Sequence, residues 1–286
     1  MKEFPLLKIT LLDVGWGDAI FLESIDSQQN YHFAFIDSND TKYSRTSFDF
    51  LKRFFRRHEH YNSGLTQPYF DFVLLTHDHA DHLSGLKKIV QEYGTKEFWY
   101  PKSDASTLLS KMLKFADRES LKINGKIKYH EALEVGKPLH TFGDVSMEVL
   151  WPPKDHNFAD FSENNSSVVL KLTLGKWSII LTGDAEEVVW REIGSQIPTN
   201  TRFFKVPHHG SKNGTDPLEP SGWYSKCSKY SRLGISCDIR STTQFFPADE
   251  VIQLFDADKR KYFRTDFHHH VKFITDGEDY AVKYSH

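Results

Sequence analysis

The sequence predicts an α/β protein with a metal site on a loop that follows a buried strand. The run Phe72–Leu75 is short, apolar and without helical period, which indicates a buried strand. A helical pattern follows from Leu83 to Tyr93, and strand and helix patterns occur in both halves of the chain. Ligands usually collect at the carboxyl ends of strands in α/β folds, so the loop Thr76–His82 is the first candidate site.

Composition limits the class of protein. The chain has 286 residues, is 39% hydrophobic and 26% charged, and carries a formal charge of −3, which is typical of a globular protein without a global attraction to nucleic acid. Any basic footprint must therefore be local. Its two cysteines, Cys227 and Cys237, cannot build a disulfide framework. With no repeat and no low-complexity linker, we expect a single domain spanning residues 1–286.

No stretch indicates secretion or membrane insertion. The first residues, Met1–Pro5, lack the apolar region and cleavage site of a signal peptide. Apolar runs are far shorter than the roughly 18–20 residues that span a bilayer. We therefore expect no membrane segment and a cytoplasmic location.

The N-terminal third predicts three strands and a helix. Strands at Leu6–Leu12 and Ala19–Ser24 flank the turn Asp13–Asp18, whose two glycines can take positive φ. The acids of this turn could approach the metal loop, although a turn-capping role is favoured for Asp13. A third strand covers Tyr31–Asp37 and a helix covers Ser44–Tyr61. One side of that helix is basic, which is typical of a solvated face, with phosphate binding as the alternative; its cations are Lys52, Arg53, Arg56 and Arg57.

The metal loop has the spacing of a two-cation site. Residues two apart in extended chain point the same way, so His77 and His79 can share one cation. Asp81 and His82 lie just beyond and can reach a second. Imidazoles suit zinc, manganese or iron, and a carboxylate helps to neutralise a dication. The alternative is an exposed polar loop that is rich in histidine.

Further polar residues follow apolar strands later in the chain. Asp184 comes just after the predicted strand Trp177–Leu181, where it could bind metal or cap the next helix. His208 and His209 follow the strand Arg202–Val206. Adjacent side chains diverge in extended chain, so one of the two is expected to bind metal directly, and the pattern does not say which.

These motifs together resemble a known family. His77-x-His79-x-Asp81-His82 after an apolar strand resembles the signature of the metallo-β-lactamase superfamily. Further stretches occur in the same order as in the hydrolase domain of ComEC-type DNA-uptake proteins, over about Ile9 to Phe255; they are Leu11–Ala19, Asn164–Leu170, Leu181–Asp184 and Lys205–Ser211. The resemblance implies a four-layered αββα sandwich, two divalent ions (zinc or manganese), Asp184 as a bridging carboxylate, and a site-facing position for Asp37.

Two departures from the superfamily pattern affect the ligand set. Many members place a further metal-binding histidine where this chain has Asn164-Asn165-Ser166-Ser167, as the ComEC-type branch does, and His156 is a possible substitute. ComEC-type relatives also carry a Gly-His-Pro-like element where this chain reads Gln244-Phe245-Phe246-Pro247. That histidine is therefore missing.

The expected function is metal-dependent hydrolysis with a metal-activated water, of the phosphodiesterase or nuclease type. Asp81 and His82 are the expected catalytic residues, with Asp81 orienting the water. The expected metal ligands are His77, His79, Asp81, His82, Asp184, His208 and His209. The expected substrate contacts are Asn164, Asn165, Lys205 and Ser211, toward nucleic acid or another phosphodiester. The alternatives are hydrolysis of a small ester, lactone or cyclic nucleotide, and a non-catalytic subunit that keeps the metal fold to bind a partner.

Overall fold

The computed structural model describes residues 3–61, 66–216, 219–238 and 245–285. Within these ranges the chain forms two sheets with helices outside them. The strands are β1 Leu6–Leu11, β2 Ile20–Ile25, β3 Tyr31–Ile36, β4 Phe70–Leu74, β5 Thr95–Pro101, β6 Ile127–Leu133, β7 Ser146–Trp151, β8 Val169–Leu174, β9 Trp177–Leu181, β10 Thr201–Lys205, β11 Arg232–Ile235, β12 Lys261–Arg264, β13 Val271–Thr275 and β14 Tyr280–Tyr284.

The first sheet has eight strands in the order β14-β13-β1-β2-β3-β4-β5-β6. Its β14 to β3 half is antiparallel, and its β3 to β6 half is parallel. Strands β13 and β14 form a hairpin around Asp276-Gly277, and β13 pairs with β1, with Ile9 opposite Phe273. The first and last parts of the described chain therefore share one sheet.

The second sheet has six strands in the order β12-β11-β10-β9-β8-β7. Strands β9 to β12 are parallel, so their carboxyl ends meet at one edge. Strands β8 and β9 form a hairpin around Gly175-Lys176. The parallel arrangement brings the segments after β9 and β10 next to each other.

Three apolar clusters confirm the four-layered αββα sandwich. One cluster lies between the two sheets and includes Ile9, Leu74 and Leu170. A second packs α1 and its neighbours on the outer face of the first sheet, and a third packs α5 to α7 on the second sheet. The helices are α1 Thr46–Tyr61, α2 Ala80–Leu83, α3 Leu86–Tyr93, α4 Thr107–Ser120, α5 Glu187–Ile193, α6 Trp223–Lys226, α7 Asp249–Ala257 and α8 Thr265–His268.

The helix expected from Leu83 to Tyr93 is divided into α2 and α3. The division falls at Ser84-Gly85, where Gly85 N donates to Ser38 O at 3.1 Å. A Cβ on Gly85 would lie 2.1 Å from Ser38 Oγ, so the chain approaches the end of β3 more closely than other residues permit. None of the helices in the described ranges is both long and apolar enough to cross a membrane.

Candidate metal centre

The polar residues of interest meet where strands of both sheets end. His77 and His79 lie on the loop after β4, Asp184 follows β9, and His209 follows β10. Asp81 and His82, expected on the same loop, lie on the short helix α2. From the first sheet, the β1–β2 turn adds Asp18 and the end of β3 adds Asp37. The site is therefore built from chain segments far apart in sequence.

One carboxylate oxygen lies at the centre of the cluster. Asp184 Oδ2 is 3.2 Å from His209 Nε2, 3.3 Å from His82 Nε2 and 3.9 Å from His77 Nε2. The ligand atoms of His77, His82 and Asp184 all lie within 4.8 Å of one another. Three imidazoles thus turn the same ring nitrogen toward one carboxylate.

Asp81 and His79 extend the cluster on two sides. Asp81 Oδ2 is 3.7 Å from His82 Nε2 and 3.8 Å from His209 Nε2. His79 Nδ1 is 3.0 Å from His77 Nε2. Two donors about 2.1 Å from one tetrahedral metal are about 3.4 Å apart, so the His77–His79 pair is close to the spacing that a shared cation needs.

The other ring nitrogen of each central histidine has a partner of its own. His82 Nδ1 donates to Asp37 Oδ2 at 2.8 Å, and His209 Nδ1 donates to Ser236 O at 2.9 Å. Thr76 Oγ1 donates to Asp37, so it accepts from His77 Nδ1 at 3.2 Å. Such partners fix the tautomer and orient the free Nε2 lone pair of metal-binding histidines.

The unmet polar atoms fit a cation. Among the described residues, His82 Nε2, His209 Nε2 and Asp184 Oδ1 are buried without a hydrogen bond of good geometry. The carboxylates of Asp18, Asp37, Asp81 and Asp184 face one ammonium, that of Lys205, which leaves three negative charges before any imidazole is protonated. Buried charge is costly unless it is paired, and nitrogen and oxygen donors of this kind suit a divalent cation.

Electrostatics distinguish the three imidazoles. Burial lowers the pKa of His77 well below its usual value, and the neighbouring His82 lowers it further, so this ring is neutral. Burial also opposes the charged form of His82, but Asp184 and Asp37 raise its pKa well above the usual value. In Asp184, burial is outweighed by His209 and His82, which hold the carboxyl pKa well below its usual range. Burial likewise opposes the charged form of His209, but Asp184 raises its pKa above the usual value.

Lys205, expected as a substrate contact, lies inside the cluster. Its side chain is wholly buried, with Nζ 2.5 Å from Asp18 Oδ2, 3.0 Å from Gly183 O and 3.7 Å from Asp184 Oδ1. Burial alone would lower the pKa of Lys205, but Asp18 and Asp184 raise it above the usual value. The ammonium therefore belongs to the interior of the site.

His208 and His209 have different surroundings. His209 is wholly buried in the cluster. The His208 side chain is 18% exposed, and its Nδ1 lies 3.0 Å from Glu186 Oε1. Of the two histidines, His209 is the one whose ligand atom groups with those of Asp81 and His82 in the described part of the chain. His208 lines a neighbouring cavity of about 700 Å³, whose wall also includes Ser211, Phe245 and Phe246.

The backbone at this point is left-handed. His208 has φ +47° and His209 has φ +54°, and Asp37 at the end of β3 has φ +56°. Residues with side chains rarely adopt this region, and such strain is concentrated at functional sites. The left-handed pair also explains why strand alternation could not decide between the two histidines.

The asparagines serve the neighbouring turn. Asn165 Oδ1 accepts from Glu186 N at 3.0 Å, and Asn164 Nδ2 donates to Glu186 Oε1 at 3.1 Å. The two asparagines thereby position Glu186, which in turn contacts His208. Ser211 lines the cavity, although its Oγ also accepts from Gly214 N at 2.9 Å.

Other candidates from the sequence lie outside the cluster. His156 Nδ1 donates to Pro153 O at 3.0 Å, and within the described ranges His156 belongs to none of the groups of ligand atoms that lie within 4.8 Å of one another. Asp78 accepts from Ser106 N and Oγ at 2.6 and 2.7 Å and holds the start of α4. Asp13 accepts from Gly15 N inside its turn, as its favoured structural role requires. At the missing Gly-His-Pro-like element, Phe246 stacks on Trp16, and Gln244 lies outside the described residues.

The turn Asp13–Asp18 comes close to the metal loop through glycine. Gly17 has φ +96°, and a Cβ there would lie 2.3 Å from Asp81 O. The close approach places Asp18 beside the cluster, 3.8 Å from His209 Nδ1. The sequence pattern showed acids in this turn but did not identify Asp18 as the buried one; its position directly before the strand Ala19–Ser24 was the available signal.

The comparison with known families agrees with this fold and site. Residues 46–199 match the family model described as beta-lactamase superfamily domain, which is more than half of the chain. The chain belongs to this family, whose fold supports a hydrolase that binds divalent metal.

Two individual proteins resemble this chain in sequence. The chain is 26% identical over 273 residues to ComE operon protein 3 of Bacillus subtilis, covering 91% of this chain and 32% of that protein. It is 29% identical over 147 residues to Recombination protein 2 of Haemophilus influenzae, covering 50% of this chain and 15% of that protein. The chain thus spans a third or less of these relatives. The ComEC-type resemblance is confirmed.

A solved structure shows the same fold. The metallo-beta-lactamase fold protein YhfI from Bacillus subtilis superposes with a TM-score of 0.50 at 11% identity, covering 91% of this chain and 96% of YhfI. At this identity the likeness concerns the fold alone.

Proposed function

We propose that this chain is a dinuclear, metal-dependent phosphodiesterase that hydrolyses nucleic acid. The observation that carries the proposal is the convergence of His77, His82 and His209 on Asp184, with their Nε2 atoms 3.2 to 3.9 Å from one oxygen. A carboxylate between two cations offsets their repulsion and holds them at the spacing that two-metal hydrolases use.

The donors divide into two sets around Asp184. Asp81, His82 and His209 have ligand atoms within 4.8 Å of one another and would hold one cation. His77 and His79 would hold the other, with Asp184 shared. Among the described residues, His156 is not grouped with this second set, and an incomplete protein shell is typical of catalytic rather than structural metal sites. Zinc and manganese are the candidates.

The cations would supply an acidified water at neutral pH and neutralise charge on the phosphoryl oxygens. The chain supplies orientation. Asp81 is the least buried carboxylate of the cluster, with its side chain 22% exposed, and it can orient the attacking water through Oδ2. Asp37, Thr76 and Ser236 O hold the imidazoles in place, so the donors need not reorganise during the reaction.

Proton donation to the leaving group is assigned to His208 rather than His82. His82 is wholly buried, with one nitrogen bonded to Asp37 and the other facing Asp184. His208 faces the 700 Å³ cavity and is held by Glu186, whose pKa is lowered mainly by its hydrogen bond with His208. An imidazole that is oriented by a carboxylate at the wall of the cavity has the position of a general acid.

The nucleic-acid substrate is supported by the relatives. One is named a recombination protein, which concerns nucleic acid, and the chain matches ComE operon protein 3 over 91% of its length. The cavity beside the centre combines the imidazole of His208 with the aromatic rings of Phe245 and Phe246. Aromatic rings beside polar groups suit nucleobases next to a reacting phosphate.

The test is hydrolysis by the purified chain loaded with zinc or manganese. Labelled single-stranded DNA, duplex DNA, RNA and bis-p-nitrophenyl phosphate are compared with a p-nitrophenyl ester and a cyclic nucleotide. We expect metal-dependent cleavage of a nucleic acid, with Asp81→Asn lowering turnover by at least 100-fold and His208→Gln by about 10²–10⁴-fold. The matched control is His156→Gln, which removes a buried imidazole outside the cluster.

Each alternative has its own outcome in this test. Cleavage of the ester or cyclic nucleotide without cleavage of any nucleic acid would replace the proposal by a small-ester hydrolase. Bound metal without turnover on any substrate would favour a non-catalytic subunit.

A further inference from the structure

A group of cations lies on the outer face of the eight-stranded sheet and shares no residue with the metal centre. Here a groove of about 600 Å³ opens between α1 and the strands β1 and β13. Its cations are Lys8 from β1, Lys272 from β13, and Arg53 and Arg57 from α1.

The strand register explains why the lysines stand together. Thr10 of β1 is opposite Lys272 of β13, and Lys272 is opposite Lys283 of β14. Lys8 is two residues before Thr10 and so points to the same face, away from the core that takes Ile9. Lys8 and Lys272 are therefore diagonal neighbours on one face, and both line the groove.

The groove has an excess of positive charge. Arg53 and Arg57 are one helical turn apart, exposed, and without an ion pair among the described residues. Glu23 is the one carboxylate in the described lining, 3.2 Å from Lys8 Nζ and 3.5 Å from Lys272 Nζ. Four cations against one carboxylate leave three positive charges in a chain whose formal charge is −3.

Aromatic rings stand between the cations. Tyr31 is 38% exposed, and Phe50 and Phe54 are half-buried in the same groove. A basic groove with aromatic rings is how proteins hold single-stranded nucleic acid, because the cations follow the phosphates while the rings take the bases. A lipid headgroup needs the charges but not rings inside a concave groove.

We propose that this groove binds the phosphate backbone of single-stranded nucleic acid and holds a polymeric substrate away from the reacting bond. Its lining residue His270 accepts a hydrogen bond at Nδ1 from Asp13 N at 3.0 Å. Asp13 begins the turn that carries Trp16 and Asp18 to the metal centre, so groove and centre share one turn. The choice of nucleic acid as the polyanion rests on the proposed function.

The test compares two double variants of α1 that remove equal charge. Arg53→Gln/Arg57→Gln removes the two arginines that line the groove. Lys52→Gln/Arg56→Gln removes two exposed cations outside the groove lining. Binding of a fluorescent 20-nucleotide single-stranded DNA to the full chain is followed by anisotropy over a range of salt, with EDTA present to stop cleavage. Circular dichroism confirms that both variants are folded.

The groove variant is expected to bind at least tenfold more weakly at 0.1 M salt. Its slope of log affinity against log salt should fall by about 1.4, since each lost phosphate contact contributes about 0.7 for a single strand. The control should keep its dissociation constant within about threefold. Equal weakening of both variants, or none in the groove variant, would overturn the inference.

Two further outcomes distinguish nucleic-acid binding in the groove from membrane binding and from the proposed hydrolase function. Binding of phosphatidylserine vesicles by the same arginines, without oligonucleotide binding, would assign the groove to a membrane surface and overturn the inference. Because the measurement is made in EDTA, it does not depend on turnover. A chain that binds DNA through Arg53 and Arg57 but cleaves no phosphodiester would refute the proposed function and leave the groove assignment standing.

Discussion

The orientation of single imidazoles decides whether the cluster can hold metal. Asp37 accepts hydrogen bonds from His82 Nδ1 at 2.8 Å and from Thr76 Oγ1 at 2.6 Å. It therefore connects the His82 ring to the start of the metal loop. Replacing Asp37 by Asn keeps its shape but removes the charge and one acceptor. We expect Asp37→Asn to weaken metal affinity by 10–100-fold in a competition titration with a chelator.

Asp78 provides the matched control for Asp37. It lies in the same loop and is also buried, but its carboxylate accepts from Ser106 at the start of α4. Asp78→Asn should lower the free energy of unfolding by about 0.5–2 kcal/mol and leave metal affinity unchanged. Equal losses of metal affinity in the two variants would mean that Asp37 acts through general stability rather than through His82.

Gly17 sets how closely the β1–β2 turn approaches the metal loop. A methyl group there would meet Asp81 O at 2.3 Å, whereas Gly136, also at positive φ (+86°), has nothing within 4 Å of its added Cβ. In both Ala variants the left-handed backbone costs about 1–2 kcal/mol of folding free energy. We expect only Gly17→Ala to lower bound metal, as measured by elemental analysis. Full metal content in Gly17→Ala would show that the close contact is dispensable.

Several site residues could be predicted from sequence because their spacing is local. His77, His79, Asp81 and His82 lie within six residues after an apolar strand, and that spacing indicates that they can share a site. The burial of Lys205 could not be predicted, because its partner, Asp18, comes from the other sheet, and no local pattern reports such a pair.

At the scale of elements, the buried Lys205–Asp18 pair connects the end of β10 to the β1–β2 turn. Both side chains are wholly buried, and Nζ and Oδ2 are 2.5 Å apart. Removing one partner leaves a buried, unpaired charge. We expect Lys205→Met to lower the free energy of unfolding by about 3–5 kcal/mol, measured by urea denaturation with a chelator present.

A double-mutant cycle measures the coupling between Lys205 and Asp18. Lys205→Met/Asp18→Asn removes both charges and should recover part of the loss, giving a coupling of about 0.5–3 kcal/mol. Strictly additive losses would indicate that the two side chains do not stabilise each other.

Elements were predictable where the pattern was regular. The hairpin of β13 and β14 follows from alternating residues around Asp276-Gly277, and α1 follows from its apolar stripe. Strand β6 has a weak pattern of its own, because Ile127–Leu133 alternates poorly and only Ile127 and Leu133 are buried. Its place beside β5 is decided by the parallel pairing, which is a property of the whole sheet.

At the scale of the molecule, we propose that the described chain unfolds as one domain. The cluster between the sheets takes residues from β1 and β13 as well as from β8 and β9, so neither sheet keeps its core alone. Calorimetry should therefore give one transition with equal van't Hoff and calorimetric enthalpies. Two separate transitions would divide the chain into independent units.

The order of motifs along the chain was enough to predict the αββα sandwich, because that order resembles one family. The strand order was not predictable in the same way. β1 lies between β2 and β13, and the pairing with β13 joins residues more than 250 positions apart, such as Leu7 with Thr275. Only tertiary packing decides such contacts.

The dinuclear centre is tested most directly by counting metal ions on the purified chain and on Asp184→Asn. Inductively coupled plasma mass spectrometry after zinc or manganese loading and desalting should give about two ions per native chain. It should give fewer than one ion in Asp184→Asn, which loses the shared carboxylate. A native chain with no bound ion, or an Asp184→Asn variant that retains both, would contradict the convergence of these side chains on a pair of cations.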